Sequence, residues 1–144
     1  MSEDTRFLPF ADLVPPSSPN AWLVAPHDVV AAEPDEPAPT FPAPAARAAQ
    51  VWVEVVGSYP RTRVIGVSES GLRIEAEQRS AVFGFVDRIS AQFIPVGEGR
   101  STAALYSRAE VGYWDLGVNR RRLHDWLTEL QERLREDDAD GASD

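Results

Sequence analysis

The chain has 144 residues, no cysteine and a formal net charge of −9. That length supports one hydrophobic core, and the lack of thiols excludes disulfides, thiolate metal sites and cysteine nucleophiles. All fourteen basic residues are arginine, which also excludes a Schiff-base lysine.

The charge is uneven. Residues 1–42 carry seven acids against Arg6, and residues 136–144 carry five acids and no base, so the segment between sums to +2. The two ends read as acidic, solvating tails. A domain this close to neutral lacks the dense basic footprint that nucleic acid requires, so no nucleic-acid partner is expected. No run approaches the roughly 18 apolar residues that a transmembrane helix needs. The opening MSEDTRFLPF is acidic where a signal peptide is basic, and the expected compartment is the cytoplasm.

Nine of the twelve prolines lie between Pro15 and Pro44, in a stretch with no hydrophobic period. Residues 1–43 therefore read as a proline-rich, acidic arm or linker, partly docked, with Trp22, Leu23 and Val24 able to lie on the domain as a strand or clip. A single domain is expected over 44–135, followed by a disordered acidic tail at 136–144. In the domain, Ala46, Ala49, Val53 and Val56 recur at helical spacing, with Trp52 on the flank, and predict a helix over 44–57 that stops at Gly57 and Pro60.

Two β-like runs follow, RTRVIGVSES and GLRIEAEQRS, joined around Gly71 as a hairpin. Leu72, Ile74 and Ala76 alternate with Arg73, Glu75 and Glu77, which places one face inward and one in water. A third strand is expected over AVFGFVDRISAQFI, and a turn at Val96–Gly99 leads into a fourth, STAALYSRAEV. Gly117 supplies a positive φ, Asn119 caps a last helix, and Leu123, Trp126, Leu127, Leu130 and Leu134 form its apolar stripe. The expected fold is α+β, in the order α-β-β-β-β-α. A four-stranded antiparallel meander carries two helices on one face.

Three consecutive arginines, Arg120–Arg122, stand in the first turn of that last helix, where the peptide dipole disfavours cations. On the third strand, period-two counting puts Phe83, Phe85, Asp87, Ile89 and Phe93 on one face. A carboxylate there needs a cation. An ion pair from Asp87 to one of the arginines explains both anomalies, with Asp115 as a second counter-ion. The same helix start could hold an anion, using Arg79, Ser80, Asp87, Ser107, Asp115, Arg120 and Arg122. Tyr113, Gly117 and Asn119 are assigned structural roles. His124 reads as an exposed helix residue and His27 as part of the arm. No metal ligand set is present, and no cofactor is expected.

The blocks Arg79-Ser80-Ala81-Val82-Phe83-Gly84-Phe85-Val86-Asp87 and Val111-Gly112-Tyr113-Trp114-Asp115-Leu116-Gly117-Val118-Asn119-Arg120-Arg121-Arg122 resemble the two signature blocks of the DUF1499 family, a domain of unknown function. The resemblance covers roughly residues 17–132. It implies no activity, and it implies a bacterial or plastid setting with envelope association among the members. The chain is a divergent member. It has Arg88 where the family pattern has a second aspartate, and Ala21 where a cysteine is frequent. Tyr106 and Glu110 stand where the family pattern has arginines.

Together these features predict a non-enzymatic binding or interaction domain whose partner is a protein or a small anionic ligand. Two other readings stand beside it. One is a hydrolase-like enzyme using Asp87, Asp115 and arginines. The other is an apolar-ligand or lipid carrier with a cavity between sheet and helices, behind Phe83 and Phe85.

Overall fold

The computed structural model describes residues 7–14, 20–110 and 117–142. Its elements run β1 (Ala21–Val24), α1 (Ala45–Gly57), β2 (Thr62–Val67), β3 (Arg73–Arg79), β4 (Val86–Gly97), β5 (Arg100–Ala109) and α2 (Val118–Ala142). The expected α+β class and the placement of the two helices hold. The sheet has five antiparallel strands in the order β1-β5-β4-β3-β2, where four were expected.

The extra strand comes from the arm. An unpaired β5 would leave a row of backbone donors and acceptors open along a sheet edge. Residues Ala21–Val24 close it by pairing with Leu105–Arg108. Further along, Phe41 exchanges backbone hydrogen bonds with Ser101, and Thr102 donates to the Pro39 carbonyl. Proline is tolerated here because a segment at the outside of the sheet needs only some of its amides.

The arm also buries side chains. Phe10, Leu23, Ala25, Val30, Ala104 and Tyr106 form an apolar cluster on the sheet face away from the helices. The face carrying Glu75 and Glu77 was expected in water, yet both carboxylates are buried. The Leu8 amide donates to Glu75 Oε2, and Ser90 and Arg88 donate to Oε1.

On the other face, α1 and α2 cover Ile74, Ala76, Ile89, Ala91, Phe93, Ala103 and Leu105. Trp52 lies between Phe93 and Trp126, with ring centroids 6.0 and 5.7 Å away. In α1 the buried residues are Ala45, Ala48, Ala49, Val51, Trp52, Val55 and Val56, with Ala46 exposed and Val53 partly buried. The expected stripe was thus rotated, because the indole, the largest side chain of the helix, takes the centre of the interface rather than its flank. In α2 the expected residues Leu123, Trp126, Leu130 and Leu134 are all buried, and Leu127 packs against them partly buried.

Two boundaries differ from expectation. β4 begins at Val86, and Ser80–Phe85 form a turn closed by Ser80 N–H to the Phe85 carbonyl, with Gly84 at φ +70°. A positive φ breaks an extended run, so Phe83 and Phe85 leave the sheet altogether. α2 continues to Ala142, through much of the segment expected as a disordered tail, and Asp137 on it forms an ion pair with Arg47 of α1 at 2.8 Å.

Truncating Trp126 to alanine removes the centre of the aromatic packing. It is expected to lower stability by about 3–5 kcal/mol, read as a fall in the urea unfolding midpoint.

Candidate functional site

The positions singled out at the start of the last helix come together only in part. Arg122, at the first turn of α2, turns inward and is buried. Its Nη2 donates to Asp87 Oδ2 at 2.8 Å and its Nε to Gln78 Oε1 at 2.7 Å. Its Nη1 donates to Asn119 Oδ1 at 2.7 Å and to Ser107 Oγ at 3.0 Å. The side chains of Asp87 and Arg122 are 16% and 7% exposed, so the pair is largely removed from water.

Asn119 was expected as a helix cap. The helix begins one residue earlier, at Val118, and Asn119 lies inside the first turn. The Gly117 carbonyl accepts the Arg121 amide, and Gly117 has the expected positive φ, +80°. The Asn119 side chain is used elsewhere. It accepts from Ser107 Oγ at 2.6 Å and donates to the Asn20 carbonyl at 3.0 Å, tying helix, sheet and arm at one point. Ser107, a residue of β5, is fully buried in this set.

The remaining arginines of the first turn are also accounted for by position. Arg120 lies over the Trp22 ring, 5.4 Å from its centroid, a cation–π arrangement. Arg121 is exposed, and its Nη1 lies 3.3 Å from where a Cβ on Gly117 would stand. Tyr113 and Asp115 lie outside the described residues.

His124 is not a bare surface residue. Its Nε2 bonds Glu36 Oε1, which also accepts from Trp22 Nε1 at 2.6 Å. Trp22, Glu36, Arg120 and His124 therefore join the arm to α2. Nothing in the sequence spacing marks this, since Glu36 and His124 are 88 residues apart.

Arg79 and Ser80 sit away from the α2 contacts. Ser80 Oγ accepts from the Phe85 amide at 3.0 Å and braces the turn before β4. Arg79 ends β3 and faces the outer edge of the sheet, where it lines an open groove of about 500 Å³ with Arg61, Thr62, Arg63 and Glu77. Arg63 Nε is 2.6 Å and Arg79 Nη2 3.7 Å from the same oxygen, Glu77 Oε1. Arg61 donates its Nε to the Arg79 carbonyl at 3.1 Å, and among the described residues it makes no ion pair. Three guanidinium groups thus line a groove that holds one carboxylate, and two of them approach it.

A second opening, about 350 Å³, lies on the arm side between Phe7, Ile65, Gly66, Glu75 and Arg88. Arg88 there lies between Glu75 at 3.3 Å and Glu110 at 3.5 Å. Beside it, burial pulls the Arg108 guanidinium below its usual value, against the opposing charge of Glu75. The sequence reading missed this polar layer, because alternation alone marks its acids as solvent-facing.

Residues 14–130 match the family described as "Protein of unknown function (DUF1499)". The chain belongs to the DUF1499 family. No curated protein matches it. The positions at which this DUF1499 member departs from the resemblance are neighbours in the fold. Arg88 and Glu110 form an ion pair with one another at 3.5 Å. Tyr106 carries the Arg108 guanidinium 5.0 Å from its ring centroid.

Two measurements probe these contacts. Asp87→Ala leaves the Arg122 guanidinium buried without its counter-ion and is expected to cost about 3–5 kcal/mol, checked by chemical denaturation. The second concerns pH. Burial acts to raise the Glu36 carboxyl, but hydrogen bonds from His124 and Trp22, with the charges of His124 and Arg120, outweigh it and hold the group below 4.5. A depressed carboxylate contributes stability above its unfolded value and loses it as pH falls through the folded value. The stability advantage of the native chain over Glu36→Gln is therefore expected to shrink as the pH falls below about 4.5, measured by urea unfolding across an acid series.

Proposed function

We propose that this DUF1499 member is a non-enzymatic binding module and that the groove of Arg61, Arg63 and Arg79 at the β2–β3 edge takes an acidic ligand. One observation carries the reading: three guanidinium groups around an open groove have one carboxylate, Glu77, between them. Charge-assisted hydrogen bonds to an incoming oxyanion would use donors that the protein leaves uncompensated.

The start of α2 is a weaker candidate for the same chemistry. Asp87, Ser107, Asn119 and Arg122 already satisfy one another, so an anion there would have to break an ion pair before gaining a contact. The same commitment weighs against hydrolase-like chemistry at Asp87. An apolar ligand between sheet and helices competes with Trp52, Phe93 and Trp126, which fill that space, and Phe83 and Phe85 do not line it.

Inorganic phosphate is the simplest probe. Titrated at low salt, it is expected to raise the thermal midpoint by mass action. Arg79→Gln, which removes one charged donor, is expected to weaken phosphate binding roughly tenfold. Arg100→Gln, at the opposite end of β5, is expected to leave it unchanged. A phosphate response identical in the Arg79 variant and the native chain would refute the groove.

A further inference from the structure

Among the described residues, the β3–β4 turn carries the most exposed group of apolar side chains. Val82 is 80%, Phe83 73% and Phe85 51% exposed, and the two phenyl rings stack with centroids 5.3 Å apart. Isolated exposed apolar residues are ordinary, whereas three of them on one projecting turn mark a contact site.

The turn is built to hold them out. Ser80 N–H donates to the Phe85 carbonyl at 2.9 Å, Phe85 N–H returns to Ser80 Oγ at 3.0 Å, and Gly84 N–H donates to the Ser80 carbonyl at 3.2 Å. With Gly84 at φ +70°, the rings point outward from a braced backbone rather than folding back onto the sheet. Presenting them costs little ordering entropy at the moment of contact.

Immediately behind this tip stands the arginine groove. Arg79 is the residue before Ser80, and Arg61 is bonded to the Arg79 backbone in both directions. An apolar tip backed by cations that outnumber their acids matches the layering of an anionic bilayer, where acyl chains lie beneath a plane of phosphates. Among the described residues no helix is long and apolar enough to cross a membrane.

We infer that the β3–β4 turn is a membrane-docking element, in which Val82, Phe83 and Phe85 enter the interface of an anionic bilayer while Arg61, Arg63 and Arg79 contact lipid phosphates. This inference rests on the proposed groove for its charge and on the exposed rings for its apolar part, and the two can fail separately.

The test is co-sedimentation of the full chain with vesicles of phosphatidylcholine alone and of phosphatidylcholine mixed with phosphatidylglycerol. Binding is expected to the mixed vesicles only, and to weaken as added salt shortens the screening length. Phe83→Ser combined with Phe85→Ser is expected to reduce that binding roughly tenfold or more, with an unchanged thermal midpoint and unchanged inorganic phosphate binding. Arg79→Glu is expected to abolish both vesicle and phosphate binding. Absence of native-chain binding to the mixed vesicles at low salt overturns the inference, as does equal binding by the double phenylalanine variant. If phosphate still binds in either case, the groove reading survives alone. Vesicle binding that depends on the phenylalanines but survives Arg79→Glu, with no phosphate response in the native chain, overturns the groove and the charge-based part of the inference.

Discussion

The architecture turns on one desolvated ion pair. Asp87 sits on the sheet face that carries Ile74, Ile89, Phe93 and Leu105, beside Gln78 and Ser107, and Arg122 enters that face from the first turn of α2. Each charge would be costly alone, and together they persist because Gln78, Ser107 and Asn119 take up the remaining donors and acceptors. The consequence is positional. Through Arg122 the helix start is fixed to β3, β4 and β5, and through Asn119 it is fixed to the backbone at Asn20 where the arm meets the sheet. The two large indoles, Trp52 and Trp126, then meet at 5.7 Å in one defined arrangement.

The arm completes what that contact begins. Its residues close the β5 edge, cover the second sheet face with Phe10 and Leu23, and reach α2 through Trp22 and Glu36. Glu75 is buried beneath it because the Leu8 amide, Ser90 and Arg88 supply the donors that water would otherwise provide, while Arg63 serves Glu77 at the β2–β3 edge. A proline-rich segment is well suited to this work. It loses less chain entropy on docking than a flexible segment and needs few backbone partners.

With Arg122 committed to the fold, the proposed binding surface moves from the start of α2 to the β2–β3 edge. There the arginines exceed their acid partner and the next turn carries exposed phenyl rings. The Arg88–Glu110 ion pair points the same way: on the arm side, charge is balanced within the protein, whereas at the groove it is not.

By itself the sequence determined the α+β class, the two helices, the β2–β3 and β4–β5 hairpins, the DUF1499 membership and the demand of Asp87 for an arginine. These follow from local periodicity, turn chemistry and the cost of a charge on an apolar face, all of which neighbouring residues express. Tertiary structure alone chose Arg122 from three adjacent arginines, since helix rotation decides which side chain enters the sheet. It decided that Ala21–Val24 is a strand rather than an irregular clip, because the partner that gives those residues an edge lies more than eighty positions away. It also placed Phe83 and Phe85 outside the core. Period-two counting continues a strand through them, and only the positive φ at Gly84, with the Ser80–Phe85 closure, shows that the strand had not yet begun.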